Sequence, residues 1–416
     1  MALPLKIIIL AAGKGTRMKS SVPKVLHQVC GKPIVRYVLD LSQGVKSSQT
    51  YVVLGHKMEA VREVFPKEFI SVVQPQPLGT ADAVKCTQRH LAHYHGNILI
   101  LCADTPLLKI NTVKNLIKTH LRSKAALTFL TAEVPFPSGY GRILRGVDKT
   151  VLCIREEKDA TLKEKIVTEI NVGVYCFKSV MLFDALKEIK VNKTKKEFYL
   201  TDIVQLLLQK GLKVETFETE DYTEGIGINT RQDLALAGSI LRKRILQSFM
   251  EQGITIIDPQ TTYIDADVKI GRDTVIHPFT LIESDVRIGK RCSIGPFCRI
   301  RPGTTIGHHV EVGNFTEISR SRMGNGCFMK HFSFLGDAQL GRQVNVGAGV
   351  VTANFDGKRK NVTEIADHAF LGSDSILIAP LKIGRRVITG AGSVVTAGQV
   401  IPDRKVVVGV PARIKR

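Results

Sequence analysis

From Ile264 to Ile318 every sixth residue is aliphatic and β-branched. The series runs Ile264, Ile270, Ile276, Ile282, Ile288, Ile294, Ile300, Ile306, Val312 and Ile318. No helix repeats every six residues, but a parallel β-coil does, because each hexad forms one short strand and one turn. Three hexads complete a coil, and the next coil stacks on it at a spacing of about 4.8 Å. The pattern therefore predicts a triangular prism whose interior these side chains fill.

Glycines and interruptions complete this pattern. Glycine follows the aliphatic residue at Gly271, Gly289, Gly295, Gly307 and Gly313, where we expect prism corners with positive φ. The series of aliphatic residues, here called the ladder, resumes at Leu340, Val346, Leu371, Leu377, Ile383, Val395 and Ile401, with Thr389 inside the series. Two interruptions, Ser319–Gly336 and Val351–Asn361, carry polar residues that a prism interior does not need. Residues outside the ladder are free to build a site there.

The first half of the chain has a different rhythm. The continuous apolar run Lys6–Ala12 predicts a strand buried on both faces of a sheet. Strand-like and helix-like segments then alternate at Ile34–Leu41, Tyr51–Leu54, Ile70–Val73, Ala81–Leu91 and Asn97–Leu101. This alternation is typical of a doubly wound, Rossmann-like α/β sheet, whose ligands bind at the carboxyl ends of the strands.

A helical pattern separates the two halves. Apolar residues recur at helical spacing from Thr230 to Gln252, Asn229 is a candidate N-cap, and Gly253 ends the run. We therefore predict an α/β domain at residues 1–229, a linker helix at residues 230–252, and a parallel β-coil at residues 253–416.

Composition narrows the choice of partners. The chain has 416 residues and a formal net charge of +21. Its basic residues are scattered and Trp is absent, so the charge indicates phosphorylated small-molecule substrates or a generally basic proteome rather than nucleic acid binding. The eight cysteines show no metal-binding spacing and indicate free thiols in a reducing compartment. The apolar run Ile7–Leu10 is too short for a signal sequence or a membrane span, so we expect a cytoplasmic protein without stable membrane insertion.

Candidate chemistry begins directly after the first strand. Two glycines in Ala11–Met18 allow a phosphate chain to approach backbone N–H groups, and Lys14, Arg17 and Lys24 bring cations to the same place. A tight turn without a ligand would have the same glycines. The spacing matches neither a dinucleotide fingerprint nor a Walker loop.

Two polar residues follow later strands. Gln74 precedes the open turn Leu78–Ala81, and its amide could read the edge of a base. Asp104 ends an apolar strand, where a divalent cation bridging phosphates explains a carboxylate well. The alternative for Asp104 is the N-cap of the next helix.

Several motifs together resemble a known family. They are Leu10–Met18 with Lys24, Gln74, Gly79-Thr80, Asp104, Gly139–Arg142, Glu156–Ala160, Glu169–Asn171 and Tyr199–Asp202. They are similar to the sugar-1-phosphate nucleotidyltransferases. With the hexad coil added, nearly the whole chain resembles the bifunctional N-acetylglucosamine-1-phosphate uridyltransferase/glucosamine-1-phosphate N-acetyltransferase family, whose coil is a left-handed parallel β-helix and whose members are trimers.

The resemblance implies roles for residues of the first domain. Gly13, Gln74, Gly79 and Thr80 would bind the uridine nucleotide, together with Leu10, Ala12 and Lys14. Arg17 and Lys24 would act on the triphosphate as catalytic residues. Asp104 and Asn229 would hold Mg²⁺, while Gly141, Glu156 and Asn171 would bind the sugar. No protein nucleophile is needed, since the sugar phosphate attacks UTP in line and pyrophosphate leaves.

The resemblance also implies an acetyl-transfer site in the coil. His331 would be the general base that accepts the amine proton, although a lone histidine is more often a surface or packed residue. Arg301, Phe334 and Asn345 would contact glucosamine-1-phosphate. Acetyl-CoA would contact Ala348, Asn354, Phe355, Ser373 and Ala391.

Some positions depart from the family pattern. Pro77 and Asp82 stand where the family usually has Gln and His. Ser319 replaces a phosphate-binding lysine, and Phe334 and Phe355 replace tyrosines, although Arg320 and Lys330 could supply a cation. The sequence thus predicts a homotrimeric enzyme that acetylates glucosamine-1-phosphate and then couples the product to UTP. Two alternatives stay open: a uridyltransferase whose coil is only a trimer scaffold, and a non-enzymatic subunit that binds nucleotide sugars.

Overall fold

The computed structural model describes residues 4–55, 58–192 and 196–415. The chain forms two compact units, Met1–Ile240 and Leu241–Arg416. The division falls within the helix Arg231–Glu251, so the helical pattern between the two halves corresponds to one real helix. The limits that we predicted for the two functional domains remain predictions.

A mixed sheet forms the centre of the first unit. Its strands and a separate short pair are β1 (Leu5–Ala11), β2 (Gln28–Val29), β3 (Lys32–Pro33), β4 (Gln49–Leu54), β5 (Ile70–Val73), β6 (Asn97–Cys102), β7 (Leu127–Glu133), β8 (Arg142–Arg145), β9 (Val151–Arg155), β10 (Glu169–Lys178) and β11 (Val214–Glu218). The main sheet has the order β11-β7-β10-β6-β1-β4-β5, with β8 and β9 beside β10 and with β2 pairing β3. Strand β1 is parallel to β4 and β6, whereas β10 is antiparallel to β6 and β7.

Helices cover both faces of this sheet. They are α1 (Ile34–Gly44), α2 (Met58–Arg62), α3 (Thr80–Lys85), α4 (Gln88–Leu91), α5 (Ile110–Ser123), α6 (Leu162–Lys165), α7 (Ser179–Leu186), α8 (Asp202–Gln209) and α9 (Arg231–Glu251), with 3₁₀ turns at Thr16–Met18, Lys24–Leu26 and Tyr222–Gly225. Ile8 packs in one core with α7 and α8, while Ile7 and Ile9 pack in a second core with α1 and α5. Strand β1 is therefore buried on both faces, as its apolar run predicted.

The first turn of α9 corrects one prediction. Thr230 rather than Asn229 caps the helix: its Oγ1 accepts from the Asp233 N–H at 3.1 Å, and the Asp233 carboxylate accepts from the Thr230 N–H at 2.8 Å. This reciprocal pair is a capping box. It leaves the Asn229 side chain available for other contacts. At the other end Gly253 adopts a φ of 86°, so this glycine ends the helix as predicted.

The second unit is a three-sided parallel β-coil. Face 1 consists of Thr255–Ile256, Val275–Ile276, Ser293–Ile294, Glu311–Val312, Phe328–Met329, Asn345–Val346, Phe370–Leu371, Ile388–Thr389, Val406–Val408 and Arg413–Ile414. Face 2 consists of Tyr263–Ile264, Leu281–Ile282, Arg299–Ile300, Thr316–Ser319, Ser333–Gly336, Val351–Ala353, Ile376–Ile378 and Val394–Val395. Face 3 consists of Lys269–Ile270, Arg287–Ile288, Thr305–Ile306, Arg322–Met323, Ala338–Leu340, Thr363–Ile365, Leu381–Ile383 and Val400–Ile401. This is the architecture predicted for the second half, a left-handed parallel β-helix.

The ladder residues fill the prism, but the first interruption was wrongly assigned. Ile300 pairs with Ile318, eighteen residues on, whereas Ile306 pairs with Met323, seventeen residues on. One residue is lost at that corner, and the segment 319–336 continues the coil with Met323, Met329 and Leu335 inside. The second interruption is genuine. A loop at residues 354–362 separates strands of faces 2 and 3.

The corner glycines are needed for a reason that we did not predict. Of the five glycines named above only Gly295 has a positive φ. A Cβ on Gly289 would lie 2.4 Å from the Gly307 oxygen of the next coil, and one on Gly313 would overlap the Lys330 backbone. Positive φ instead occurs two residues later in the hexad, at residues such as Asp273 and Arg291. Close stacking of coils, rather than backbone freedom, therefore requires most of these glycines.

Two further expectations can be compared with the structure. All eight cysteines are free thiols, four buried and four partly buried. Within residues 4–55, 58–192 and 196–415, no helix has both the length and the apolar character needed to cross a bilayer.

Candidate functional sites

The first site lies where β1 and β6 end. These strands are parallel and in register, with Leu10 opposite Cys102. The Ala103 N–H donates to the Leu10 carbonyl at 3.0 Å. The loop after β1 turns back at Gly15, which has a φ of 60°, and a Cβ there would lie 2.5 Å from the Lys24 Cβ. Glycine at this position lets the loop bring Lys24 to the strand ends.

Four of the predicted side chains meet at this edge. Lys24 Nζ lies 2.5 Å from Asp104 Oδ2 and 3.2 Å from Asn229 Oδ1. Arg17 Nη2 donates to the same Asn229 oxygen at 2.9 Å. The Lys24 side chain is 11% exposed and that of Asp104 is 25% exposed, so this ion pair is partly shielded from water. Two cations and two oxygen ligands thus converge on one point, although the chain brings them from three distant segments.

The backbone fixes both oxygen ligands. The Ile228 N–H donates to the Asp104 carbonyl at 2.9 Å, which ties the Asn229 segment to the end of β6. Helix α5 begins at Ile110 with Lys109 at its N-cap position, so the alternative role of Asp104 as a helix cap is wrong. Among the described residues there is no cluster of three or more His, Cys, Asp or Glu side chains that could hold a metal ion. One carboxylate and one amide oxygen facing the same cation nevertheless match the sparse protein ligation that Mg²⁺ accepts beside phosphates.

The other nucleotide candidates flank this point. Gly13 and Lys14 are exposed in the loop, whereas Ala12 is buried and Leu10 half-buried. Gln74 is 6% exposed, and its Nε2 donates to the Gly79 carbonyl at 3.0 Å and to Asp82 Oδ2 at 2.8 Å. The Thr80 hydroxyl accepts from the Leu200 N–H at 3.0 Å. The turn that carries Gly79 and Thr80 is therefore held in place before any ligand binds.

The three sugar candidates lie in or next to neighbouring strands: Gly141 precedes β8, Glu156 follows β9, and Asn171 lies in β10. The Asn171 N–H donates to the Gly141 carbonyl at 2.9 Å, and the Asn171 amide donates to the Tyr175 hydroxyl at 2.7 Å. The Glu156 carboxylate accepts from the Thr201 hydroxyl at 2.8 Å. Burial raises the pKa of Tyr175, and the neighbouring Cys102 raises it further. The Tyr175 phenol therefore stays neutral and holds the amide of Asn171.

Sequence reasoning did not assign a role to Arg142. Its side chain is 1% exposed and its guanidinium lies 2.7 Å from the Glu157 carboxylate, which also accepts from the Gly139 N–H at 3.0 Å. Burial alone would raise the pKa of Glu157, but the Gly139 N–H and Arg142 outweigh it and lower the pKa. This buried ion pair fixes the loop before Gly141. The sequence analysis included Gly139–Arg142 only as a family motif and did not predict this ion pair.

The second site is a groove along the corner between faces 1 and 2 of the coil. Its volume is about 700 Å³, and its lining includes His331, Asn345, Ala348, Ser373 and Ala391. His331 is exposed rather than sealed inside the prism. Ala348, Ser373 and Ala391 occupy three successive coils. The Asp374 N–H donates to the Ala348 carbonyl at 2.7 Å, and the Gly392 N–H donates to the Ser373 carbonyl at 2.8 Å. Small side chains stacked in this way leave room for an extended ligand.

Other predicted residues lie at the corner between faces 2 and 3. Arg301 follows the face 2 strand Arg299–Ile300, and its Nη1 lies 2.9 Å from Glu317 Oε1. Asn354 and Phe355 begin the loop between Val351–Ala353 and Thr363–Ile365. Asn354 is 9% exposed and its amide donates to Asp337 Oδ2, while Phe355 is 61% exposed. The acetyl-CoA candidates are therefore divided between two corners of one chain.

The two candidate replacement cations are already paired, Arg320 at this corner and Lys330 at the corner between faces 1 and 2. Arg320 forms two hydrogen bonds to Asp337, at 2.7 and 2.8 Å, and a third to the Ser319 hydroxyl at 2.8 Å. The Arg320 guanidinium holds the pKa of Asp337 below its usual value. Lys330 lies 2.7 Å from Glu311. Phe334 lies on face 2, and its ring, like the Asn354 amide, packs against Gly336.

Comparison with known proteins identifies the family. The family model described as the MobA-like NTP transferase domain matches residues 7–198. The model for the bacterial transferase hexapeptide (six repeats) matches residues 267–302 and 285–320. Both matches agree with the fold seen in the corresponding part of the chain.

Relatives match along nearly the whole chain. The "Bifunctional protein GlmU" of Shouchella clausii (strain KSM-K16) is 44% identical over 422 residues, covering 94% of this chain and 93% of the relative. The protein of the same name from Alkaliphilus metalliredigens (strain QYMF) is 39% identical, with coverage of 95% and 93%. That from Clostridioides difficile (strain 630) is 38% identical, with coverage of 96% and 93%. The resemblance inferred from the sequence motifs is thereby confirmed, and the chain belongs to the family of bifunctional GlmU proteins.

Proposed function

We propose that the two activities of this GlmU-family enzyme, acetyl transfer in the coil and uridylyl transfer in the α/β unit, act in sequence on one sugar phosphate. In the first reaction the amine of glucosamine-1-phosphate attacks the thioester carbon of acetyl-CoA, an N–C bond forms, and the CoA thiol leaves. In the second reaction a phosphate oxygen of N-acetylglucosamine-1-phosphate attacks the α-phosphorus of UTP and pyrophosphate leaves. The cytoplasmic location expected from the sequence is part of this proposal.

The convergence of Arg17, Lys24, Asp104 and Asn229 carries the uridyl half. Asp104 and Asn229 would hold Mg²⁺, which when bound neutralises phosphate charge and orients the triphosphate. Arg17 and Lys24 lie within hydrogen-bonding distance of these oxygen ligands, so they are positioned to pair with phosphate oxygens on the same side. Because the reaction needs no protein nucleophile, positioning and charge neutralisation supply the catalysis.

The groove beside His331 supports the acetyl half. The imidazole is exposed at one end of the groove, which is lined by Asn345 and by stacked small residues. This position suits a base that accepts the amine proton next to an extended thioester. Arg301, the cation proposed for the sugar phosphate, lies at another corner. One chain therefore holds two parts of the site on separate edges.

This separation supports a homotrimer. A second copy that brings its corner between faces 2 and 3 against the groove would complete a site from His331 of one chain and Arg301 of the next. Co-expression of His331→Asn chains with Arg301→Ala chains should then restore about a quarter of the wild-type CoA release, because random closed trimers reunite intact residues at that frequency. If each site were complete within one chain, the mixture would stay as inactive as the two parents.

The function itself is tested by separate assays of the two products. Purified enzyme should release CoA with glucosamine-1-phosphate and acetyl-CoA, and should release pyrophosphate with N-acetylglucosamine-1-phosphate, UTP and Mg²⁺. A panel of other sugar phosphates and nucleotides determines the substrate preference. Absence of pyrophosphate release with every nucleotide would contradict the uridyl half, and absence of CoA release would contradict the acetyl half.

A further inference from the structure

The amide of Gln74 is held by two groups that can only accept hydrogen bonds. Gln74 follows β5, and its backbone N–H donates to the Leu54 carbonyl at 2.8 Å, which places it at the carboxyl edge of the sheet. Nε2 donates to the Gly79 carbonyl and to the Asp82 carboxylate. Turning the amide over would place Oε1 against both acceptors. The remaining polar atom of the Gln74 amide is therefore an acceptor, Oε1, in a fixed orientation.

The two acceptors belong to one rigid turn. A Cβ on Gly79 would lie 2.4 Å from the Phe198 carbonyl oxygen, and the φ of Gly79 is 106°. The Ala81 N–H donates to the same Phe198 carbonyl at 3.0 Å. Asp82 follows in the first turn of α3 and is half-buried. The Gly79 carbonyl and the Asp82 carboxylate are thus in place before a nucleotide arrives.

We propose that Asp82 is a positioning residue that orients the Gln74 amide to accept the imide N3–H of uracil, and that it thereby sets a preference for UTP over CTP. The inference rests on the proposed uridylyl transfer. Uracil and thymine carry a donor at N3, whereas cytosine carries a lone pair there and would face Oε1 with a second acceptor. An amide free to turn over could offer Nε2 to cytosine instead, so the contact with Asp82 opposes that exchange.

The test measures kcat/KM for pyrophosphate release with UTP, CTP and dTTP in Asp82→Leu and Asp82→Asn. Leucine has a similar size but no acceptor. We expect it to lower the UTP to CTP ratio about 3- to 10-fold, less than the loss of a full charge-assisted hydrogen bond, because the Gly79 carbonyl still accepts from Nε2. Asparagine also removes the charge from the first turn of α3, but it keeps an oxygen that can accept from Gln74. Asp82→Asn should therefore keep the wild-type UTP to CTP ratio. The UTP to dTTP ratio should stay constant in both variants, because both bases carry the imide.

A double-mutant cycle separates action through Gln74 from a direct effect. Gln74→Leu alone should lower the UTP to CTP ratio, and adding Asp82→Leu should lower it no further. An unchanged ratio in Asp82→Leu, an equal fall in Asp82→Asn, or additive effects in the cycle would each overturn the inference. Retained CoA release and an unchanged unfolding temperature would show that the variants fold. If Asp82→Leu does not fold, Asp82→Ala takes its place in the same measurements.

The outcome also distinguishes this inference from the proposed function. If the wild-type enzyme uses UTP and Asp82→Leu keeps the wild-type UTP to CTP ratio, only the role of Asp82 is contradicted. Wild-type enzyme that releases no pyrophosphate from any nucleotide contradicts the uridylyl transfer, and the role of Asp82 with it.

Discussion

The first unit and the coil arrange their candidate site residues in two different ways. In the α/β unit a single chain brings Arg17, Lys24, Asp104 and Asn229 into mutual contact. In the coil a single chain keeps His331 and Arg301 on different corners. Parallel strands end at one shared edge, so a sheet collects residues from distant segments of its own chain. A prism distributes its residues over three separated edges, and in the proposed trimer a second copy brings them together.

We also expect the two regions to tolerate substitution differently. The nucleotide candidates are fixed by backbone contacts, such as the Ile228 N–H on the Asp104 carbonyl and the Leu200 N–H on the Thr80 hydroxyl. In the coil, Ser319 and Phe334 occupy positions where the family has a lysine and a tyrosine, and Arg320 is held by Asp337. We therefore expect substitutions to disable the nucleotide site outright but to shift acceptor affinity in the coil.

The largest effect is expected for His331→Asn. Loss of a general base should lower kcat for CoA release by about 10²- to 10⁴-fold, while pyrophosphate release stays unchanged. His309→Asn is the matched control, because His309 is also exposed at a corner of the coil. CoA release that survives in His331→Asn would contradict the role of His331 as the general base.

Asp104→Asn should disable the other region. The variant loses the charge that Lys24 contacts at 2.5 Å, and we expect kcat for pyrophosphate release to fall by about 10²- to 10³-fold. The Mg²⁺ concentration required for half-maximal rate should rise in the same variant, and CoA release should not change. Asp148→Asn, an exposed aspartate of the same unit, serves as the control. An unchanged requirement for Mg²⁺ would remove Asp104 from the cation site.

Sequence reasoning succeeded where one physical requirement repeats. The six-residue period identified the prism because every coil must bury an aliphatic side chain, and all but one of the ten ladder residues from Ile264 to Ile318 are fully buried, Ile270 being partly buried. It failed at Met323 and Met329, since a one-residue slip combined with unbranched side chains hid the continuing ladder. It also assigned the helix cap to Asn229 instead of Thr230, because both residue types can cap a helix.

Contacts between distant segments could not be predicted from the sequence. Nothing in the local pattern pairs Asp82 with Gln74, or Arg142 with Glu157, because such pairs depend on how turns pack in three dimensions. The separation of His331 from Arg301 likewise follows from the order of the three faces, which the hexad spacing alone leaves unassigned. The roles of the site residues stay predictions until the variants are measured.

The ion pair at the coil corner gives a smaller effect that depends on pH. The pKa of Asp337 is lowered by Arg320, so its stabilisation is present above the ordinary aspartate pKa and is lost as the pH falls below it. The Arg320 side chain is 38% exposed, which limits the contribution to about 0.2–1 kcal/mol. Between pH 5 and pH 3 the unfolding temperature of the coil should fall further in wild type than in Asp337→Asn. Asp285→Asn, at the same corner, should behave as wild type, and an equal acid response in Asp337→Asn would contradict the assignment.

The smallest expected effect comes from restoring a hydroxyl at the coil site. The Phe334 ring and the Asn354 amide pack against Gly336, and Phe334 is one of the residues proposed to contact glucosamine-1-phosphate, so the hydroxyl in Phe334→Tyr would add a polar group there. One neutral hydrogen bond should lower KM for glucosamine-1-phosphate about 2- to 10-fold, with kcat nearly unchanged. Phe332→Tyr, an exposed phenylalanine of the same coil, is the control. An unchanged KM in Phe334→Tyr would contradict the proposed contact between the residue at position 334 and glucosamine-1-phosphate.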